Sequence, residues 1–421
     1  MRKYLALLSL VSVFEVMAVV CPARDSLSRM EEAERTLQSP YGAVFLPGGD
    51  FLIGGGVGGM VGGYFGIVKF HADGSIDSSF GDKGRVKIEL PCMLYPSIVA
   101  LPNGKILGYW AAGWKEFNSY LFQLNPDGSF DLSFGTKGQL KLDITNGSIA
   151  VDSAGKAIVF AQTISMPLYQ FVSRYNDDGS LDKTFGDGGT YKIVTPYTSY
   201  NMFHPPPLVL SDGKILIRMR PIKTGKQNLM VRLLQNGTLD TSFGHEGIRL
   251  EEAPDTWQFS PLPDGKFLAF LWNHNTLVTR YSGNGVLDAK FGKHGFLDLG
   301  TPFPKADWLR PAITTFVNGE TKILGHVDYD KPSSKVFLAQ FNLDGSLDKK
   351  FSATIPFEGA YSGIEVNPID QKILVLGSLY YSKEHSVFKA MRFNSNGSLD
   401  KDFGTSGAII MDFDSLPKEI P

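Results

Sequence analysis

The sequence predicts an all-β chain folded as a seven-bladed β-propeller of four-stranded antiparallel blades. Three observations predict it: a twelve-residue phrase recurs seven times, a short turn phrase precedes each copy, and apolar runs of strand length lie between them. The copies are DGSIDSSFGDKG from Asp73, DGSFDLSFGTKG from Asp127, DGSLDKTFGDGG from Asp178, NGTLDTSFGHEG from Asn236, NGVLDAKFGKHG from Asn284, DGSLDKKFSATI from Asp344 and NGSLDKDFGTSG from Asn396. Their starts are 54, 51, 58, 48, 60 and 52 residues apart, close to the repeat lengths of propellers and solenoids. The turn phrases are Gly48-Gly49-Asp50, Asn103-Gly104-Lys105, Ala154-Gly155-Lys156, Asp212-Gly213-Lys214, Asp264-Gly265-Lys266, Asn318-Gly319-Glu320 and the weaker Ile369-Asp370-Gln371.

Each unit reads as four strands, and the second unit shows why. Residues 98–101 and 106–109 are apolar and flank an Asn-Gly turn that suits a tight hairpin. A variable loop follows, then a third strand at 120–124, the long phrase, and a fourth strand at 139–143. In the phrase, Asp127-Gly128 supplies a turn with a residue able to take positive φ, and Asp131 is placed to cap the single coil turn ending in Phe134-Gly135. Phe134 is expected to plug the gap between blades. The equivalent aspartates are Asp77, Asp182, Asp240, Asp288, Asp348 and Asp400; the equivalent phenylalanines are Phe80, Phe185, Phe243, Phe291, Phe351 and Phe403. All seven copies keep both residues, whereas the sixth has Ser352 in place of the glycine after Phe351 and lacks the final glycine.

Seven such units could close into a ring or stack as an open rod. Closure is favoured, because an open array needs specialised end caps that the chain does not visibly carry, and because a ring protects sheet edges. The DGSLDxxFGxxG phrase resembles the Delta-60 repeat of bacterial, often exported, proteins, over nearly all of the chain after its N-terminal segment. The resemblance implies a tandem array of β-rich units and carries no catalytic residue that could be transferred.

The expected organisation is a signal peptide or anchor at 1–20, a polar linker at 21–40, the propeller at 41–414 and a tail at 415–421. Arg2 and Lys3 precede an apolar run at 4–14, and Val16-Met17-Ala18 offers a cleavage site, so export is expected. A retained anchor, or lipidation of Cys21, is the alternative. Membrane contact is expected only if the N-terminus is retained or lipidated. With Cys92 the only other cysteine, one disulfide at most can form and no cysteine zinc site can be built. Lysine and arginine number 41 against 43 acidic residues, a balance that argues against nucleic acid as partner. The 43% hydrophobic content is enough for a packed core.

No cofactor or metal is expected, and no catalytic residue can be named. Asn125, Asp127, Ser129 and Asp131 alternate like the start of a calcium loop, but Thr136 stands where the bidentate glutamate should be. The glycine run at 54–63 lacks the GK[ST] ending of a phosphate loop. None of the seven histidines forms an HExxH or close pair, His245 and His294 reading as surface turn residues, and no GxSxG elbow occurs. Four residues before each phrase stands Lys69, Gln123, Arg174, Arg232, Arg280, Gln340 or Arg392. These five cations could ring an anion or pair with phrase aspartates, and pairing is the preferred reading.

Antiparallel order places both kinds of turn at one end of the ring and the irregular loops at the other. Those loops, 109–119, 162–169, 197–207, 328–334 and 380–385, hold Trp110, Trp114, Tyr197, Tyr200, Phe203, His204, Tyr329, Tyr380 and Tyr381 as binding candidates. The functional expectation is an exported, monomeric, non-enzymatic scaffold that engages a protein or glycan through this loop end. A carbohydrate-active hydrolase or lyase with an axial or loop-end site, and a purely structural envelope component, are the alternatives.

Overall fold

The computed structural model describes residues 38–57, 64–89, 94–111, 119–163, 169–194, 206–219, 229–250, 256–262, 264–271, 277–297, 312–315, 321–327, 335–355, 360–381 and 385–413. These residues contain twenty-eight strands in seven four-stranded sheets and no helix. Each sheet is an antiparallel meander whose strands follow chain order, so each blade is one continuous stretch of chain: 38–89, 94–142, 144–193, 208–250, 256–297, 312–355 and 360–411. The protein is a seven-bladed β-propeller. Its first strand begins at Gln38, ahead of the boundary expected at Tyr41.

Packing between blades follows the period-two alternation of each strand. In the second strand of blade 3, Ala157, Val159 and Ala161 face blade 2, while Ile158 and Phe160 face blade 4. Seven apolar clusters result, each combining two successive blades around one phrase phenylalanine. Phe80 lies between blades 1 and 2, Phe134 between 2 and 3, Phe185 between 3 and 4, and Phe243 between 4 and 5. Phe291 and Phe351 fill the next two interfaces. Phe403 closes the ring, packing with Leu374 and Phe388 of blade 7 and with Phe51 and Phe70 of blade 1. All seven rings are buried, at 4% exposure or less.

The phrases also bond to one another. The backbone N–H of Gly81 donates to the carbonyl of Asp127 in the next blade at 2.7 Å, and Gly135 to Asp178, Gly186 to Asn236 and Gly292 to Asp344 repeat the link at 2.7–2.9 Å. Gly404 makes the same bond to Asp73 at 2.8 Å, which joins blade 7 to blade 1. The glycine is required: Gly135 has φ +54°, and a Cβ there would overlap the carbonyl of Gln139.

Two departures from the expected strands are informative. In blade 2 the strands are Leu94–Ala100, Ile106–Ala111, Ser119–Leu124 and Gln139–Leu142, so the second hairpin extends past residue 109. Trp110 therefore lies in a strand and not in a loop: it pairs with Tyr120, stacks on it at 4.3 Å, and is buried between blades 1 and 2 at 6% exposure. In blade 6, Ser352 cannot adopt the glycine conformation cheaply, and the chain runs extended instead. The fourth strand there, Leu347–Ile355, starts within the phrase, with a register shift between the Ala339–Ser352 and Phe341–Leu347 pairs.

Candidate functional site

The turn end of the ring carries a polar circuit in most blades, although Gln123 Oε1 of blade 2 is buried there without a donor among the described residues. In blade 3, Asp182 Oδ1 accepts from the backbone N–H and hydroxyl of Thr184 at 3.1 and 2.7 Å. Its Oδ2 accepts from Arg174 Nε at 2.8 Å and Lys156 Nζ at 2.7 Å. Arg174 Nη1 reaches across to the carbonyl of Gln235 in blade 4 at 2.7 Å, and its guanidinium lies 4.8 Å from the Phe185 ring centre. One arginine thus fastens its own aspartate, its own phenylalanine and the next blade. Arg232 does the same with Asp240, Phe243 and the carbonyl of Gly283, and Arg280 with Asp288, Phe291 and the carbonyl of Leu343. Arg392 holds Asp400 and Phe403 and donates to the carbonyl of Ala72, across the seam.

Lysines in four turn phrases, and Lys372 directly after the seventh, supply further cations. Lys105, Lys156 and Lys372 lie 2.6–2.9 Å from Asp131, Asp182 and Asp400, and Lys214 and Lys266 lie 3.7 and 3.5 Å from Asp240 and Asp288. The signal was present as the recurring Gly-Lys of the turn. Lys69 holds Asp77 at 2.8 Å in blade 1, and its ammonium, with the Ser79 hydroxyl, brings that carboxyl down to about 2. In Asp182, Asp240 and Asp400, burial alone would raise the pKa; the hydrogen bonds and cations around each reverse it and leave it below the ordinary value. The buried arginines are committed to these structural bonds, so they do not form an open anion site.

Asp50, His71 and Asp77 bring three ligand atoms within 4.8 Å of one another. Lys69 Nζ sits among them, 2.8 Å from Asp77 and 4.0 Å from Asp50, where a metal would have to displace it. His245 and His294 are exposed turn residues, His294 with φ +58°.

The loop end differs chemically. Gln162 and Gln170 face each other as a cross-strand pair at the loop end of blade 3, on the side that packs against blade 4. Both are buried, at 6% and 5% exposure, and neither Oε1 has a hydrogen-bond donor among the described residues. Lys192 lies 3.9 Å above the neighbouring Tyr169 ring on the opposite side of the same blade end. At blade 7 the Tyr381 side chain is exposed and packs edge-on against His385, ring centres 5.4 Å apart. Tyr380 ends the strand Ile373–Tyr380. Trp114, Tyr197, Tyr200, Phe203, His204 and Tyr329 lie outside the described residues. The glutamine pair escaped sequence reasoning because its lack of donors depends on cross-strand register, which no short motif encodes.

Residues 60–80, 101–134, 210–243 and 370–403 match the profile of a family described as a domain of unknown function (DUF5122) beta-propeller. No curated protein matches the chain significantly. Among solved structures it is similar to prolyl oligopeptidase B from Galerina marginata, at 13% identity and TM-score 0.44, over 84% of this chain and 46% of that one. It is also similar to the β-propeller domain of the Trilobed protease from Pyrococcus furiosus, at 10% identity and TM-score 0.47, over 83% and 94% of the two chains. A PQQ-bound aldose sugar dehydrogenase from Streptomyces coelicolor aligns at 10% identity and TM-score 0.42, over 71% and 94%. The chain thus spans less than half the length of the oligopeptidase. Each family-matched segment ends on a phrase phenylalanine, Phe80, Phe134, Phe243 or Phe403, and with the seven-sheet ring these matches identify the chain as a β-propeller of tandem repeats.

Proposed function

We propose that the protein is an exported, monomeric, non-enzymatic scaffold of Delta-60 repeats that binds a glycan through its loop end. One observation supports this reading: the loop end of blade 3 buries a facing pair of amide oxygens without donors among the described residues, where the turn end, which spends its buried arginines on structural bonds, leaves a single one at Gln123. An orphaned buried acceptor costs about 1–3 kcal/mol, a cost that a ligand rich in hydroxyl donors would relieve. Paired neutral amides suit the uncharged hydroxyls of a sugar, and the Tyr and Trp residues that the irregular loop sequences carry suit its apolar faces. Any membrane contact is made through the N-terminal segment, and nucleic acid is not a partner.

The test uses the full chain on a glycan array and in a pull-down from bacterial envelope extract. Gln162→Leu/Gln170→Leu is expected to abolish glycan binding while leaving the melting temperature unchanged or raised, because two unpaired polar groups leave the core. The triple variant Trp114→Ala/Tyr200→Ala/Tyr381→Ala is expected to weaken binding at least tenfold. Capture of a protein alone, sensitive to the aromatic triple variant but not to the glutamines, would replace the glycan by a protein partner. A ligand whose binding ignores both sets of substitutions would place the site elsewhere.

A further inference from the structure

Each blade has an equivalent row in its two middle strands, three residues before the phrase cation or glutamine and paired across to the second strand. Blades 2, 3 and 4 hold Trp110–Tyr120, Ala161–Phe171 and Met219–Leu229 there, and blades 5, 6 and 7 hold Leu271–Leu277, Gly325–Phe337 and Gly377–Lys389. In every one of these rows at least one residue has a side chain larger than alanine. Blade 1 has two glycines, Gly55 and Gly66. In blades 2, 3 and 4 the row fills the interface with the preceding blade: Trp110 stacks on Tyr120, Phe171 packs toward blade 2, and Met219 and Leu229 toward blade 3. In blade 1 the row alternates with Ile53, Val57, Tyr64 and Val68 of the seam cluster, so its bare side is turned to blade 7.

Phe413 occupies the space that the glycines leave. A Cβ on Gly66 would fall on the Phe413 ring. That ring is 5% exposed, 5.4 Å from the Tyr64 ring of blade 1 and 6.3 Å, edge-on, from the Phe388 ring of blade 7, so it touches both blades. It comes from beyond the last strand of blade 7, Ala408–Met411, with only Asp412 between. Counted from the final glycine of the phrase, Gly407 in blade 7 and Gly138 in blade 2, the residue at the place of Phe413 in blade 2 is Ile144. Ile144 is buried and is already the first residue of the inner strand of blade 3, Ile144–Val151. Where the chain passes from blade 2 to blade 3, this residue is fixed by the strand it begins. Phe413 lies outside any strand, and its ring does the joining.

We propose that Phe413 is a clasp whose withdrawal opens the ring at the seam and leaves the other interfaces shut. Seated, it fills the bare row of blade 1 and bridges Tyr64 to Phe388. Withdrawn, it leaves a cavity between two blades that no linker holds together, and the contacts around that cavity are lost with it. The interfaces that Tyr120, Phe171 and Leu229 fill from within their own strands hold whether the clasp is seated or not.

Hydrogen exchange on the full chain reads the opening, with amides of Tyr64–Phe70 and Ser386–Phe393 reporting the seam and those of Gln170–Tyr175 in blade 3 as reference. Phe413→Ala should raise the opening constants of both seam strands about a hundredfold or more, and those of blade 3 less than about threefold. Gly66→Leu, which gives blade 1 the residue that blades 4 and 5 carry there, should expel Phe413 and raise the same seam constants. In Gly66→Leu/Phe413→Ala a side chain again fills the row, and seam exchange should return to within about tenfold of the wild type. If Phe413→Ala leaves too little folded protein to measure, the double variant decides: a refolded ring supports the clasp, and a chain that stays unfolded counts against it. Unchanged seam exchange in Phe413→Ala, an equal rise in blade 3, or additive losses in the double variant would overturn it.

Discussion

Asp182 shows how far a repeat residue can exceed its local role. As a cap alone, it would contribute about 1 kcal/mol. In the folded ring it accepts from Thr184, Arg174 and Lys156 together, and its loss leaves two cations at the turn end without their shared anion. Breaking one partner out of a buried charged set costs about 3–5 kcal/mol, comparable to the ~3–5 kcal/mol for truncating a buried phenylalanine to alanine. Asp182→Ala and Phe185→Ala are therefore expected to destabilise equally within error in urea unfolding. A loss near 1 kcal/mol for the aspartate, about what a cap alone supplies, would show that its cations find solvent at little cost. The sequence made both residues visible by repetition, but not their ranking. Spacing alone leaves Lys156 and Asp182 twenty-six residues apart, and only the adjacency of the two turns at one end brings them into contact.

At the scale of one blade, the sixth tests whether these circuits are interchangeable. Gln340 stands where four other blades have arginine, and Lys322 stands where the others have Leu or Ile in the second strand. The two are cross-strand partners: Lys322 donates to Gln340 Oε1, Gln340 Nε2 donates to Asp348 at 3.0 Å, and the ammonium lies 4.7 Å from the Phe351 ring. The missing guanidinium has been replaced by a cation on the neighbouring strand and an amide relay. Lys322→Leu should therefore destabilise alone, Gln340→Arg should destabilise alone by crowding two buried cations, and the double variant should recover most of both. A double-mutant cycle should give a coupling of about 1–3 kcal/mol in favour of the pair, and additive effects would refute the exchange. Element boundaries were legible where turn chemistry repeats: the third strand of blade 2, Ser119–Leu124, begins one residue ahead of its expected place at 120–124. They are not legible where a strand continues without a turn signal: the sequence around Trp110 reads as a loop, whereas cross-strand stacking on Tyr120 holds it in the sheet. The loop end was least legible, because its residues do not repeat and self-comparison has nothing to compare.

On the scale of the whole ring, the seam repeats the bonds of the interface between blades 3 and 4 and differs from it in connectivity. Phe403, the Gly404–Asp73 bond and the Arg392 bond to Ala72 reproduce what joins blades 3 and 4, and Phe403 and the Arg392 bond have counterparts in Phe243 and Arg232 between blades 4 and 5. Blades 4 and 5, however, are tethered by the five residues 251–255, so separating them is limited by the length of the linker. Blades 7 and 1 are joined only by contacts, and losing one contact there is not offset by the high effective concentration that a short linker provides. Arg392→Met and Arg232→Met remove equivalent bonds and should lower global stability by similar amounts. Their exchange patterns should differ: Arg392→Met should raise hydrogen exchange selectively in blades 1 and 7, and Arg232→Met should show no such selectivity for blades 4 and 5. Circular permutation sharpens the comparison. With new termini opened between blades 4 and 5 and the old ends joined by a linker, the weak joint should move, and the selective response should pass from Arg392→Met to Arg232→Met. If the response stayed with Arg392 in the permuted ring, the weakness would belong to the side chains of that interface and not to the break in the chain.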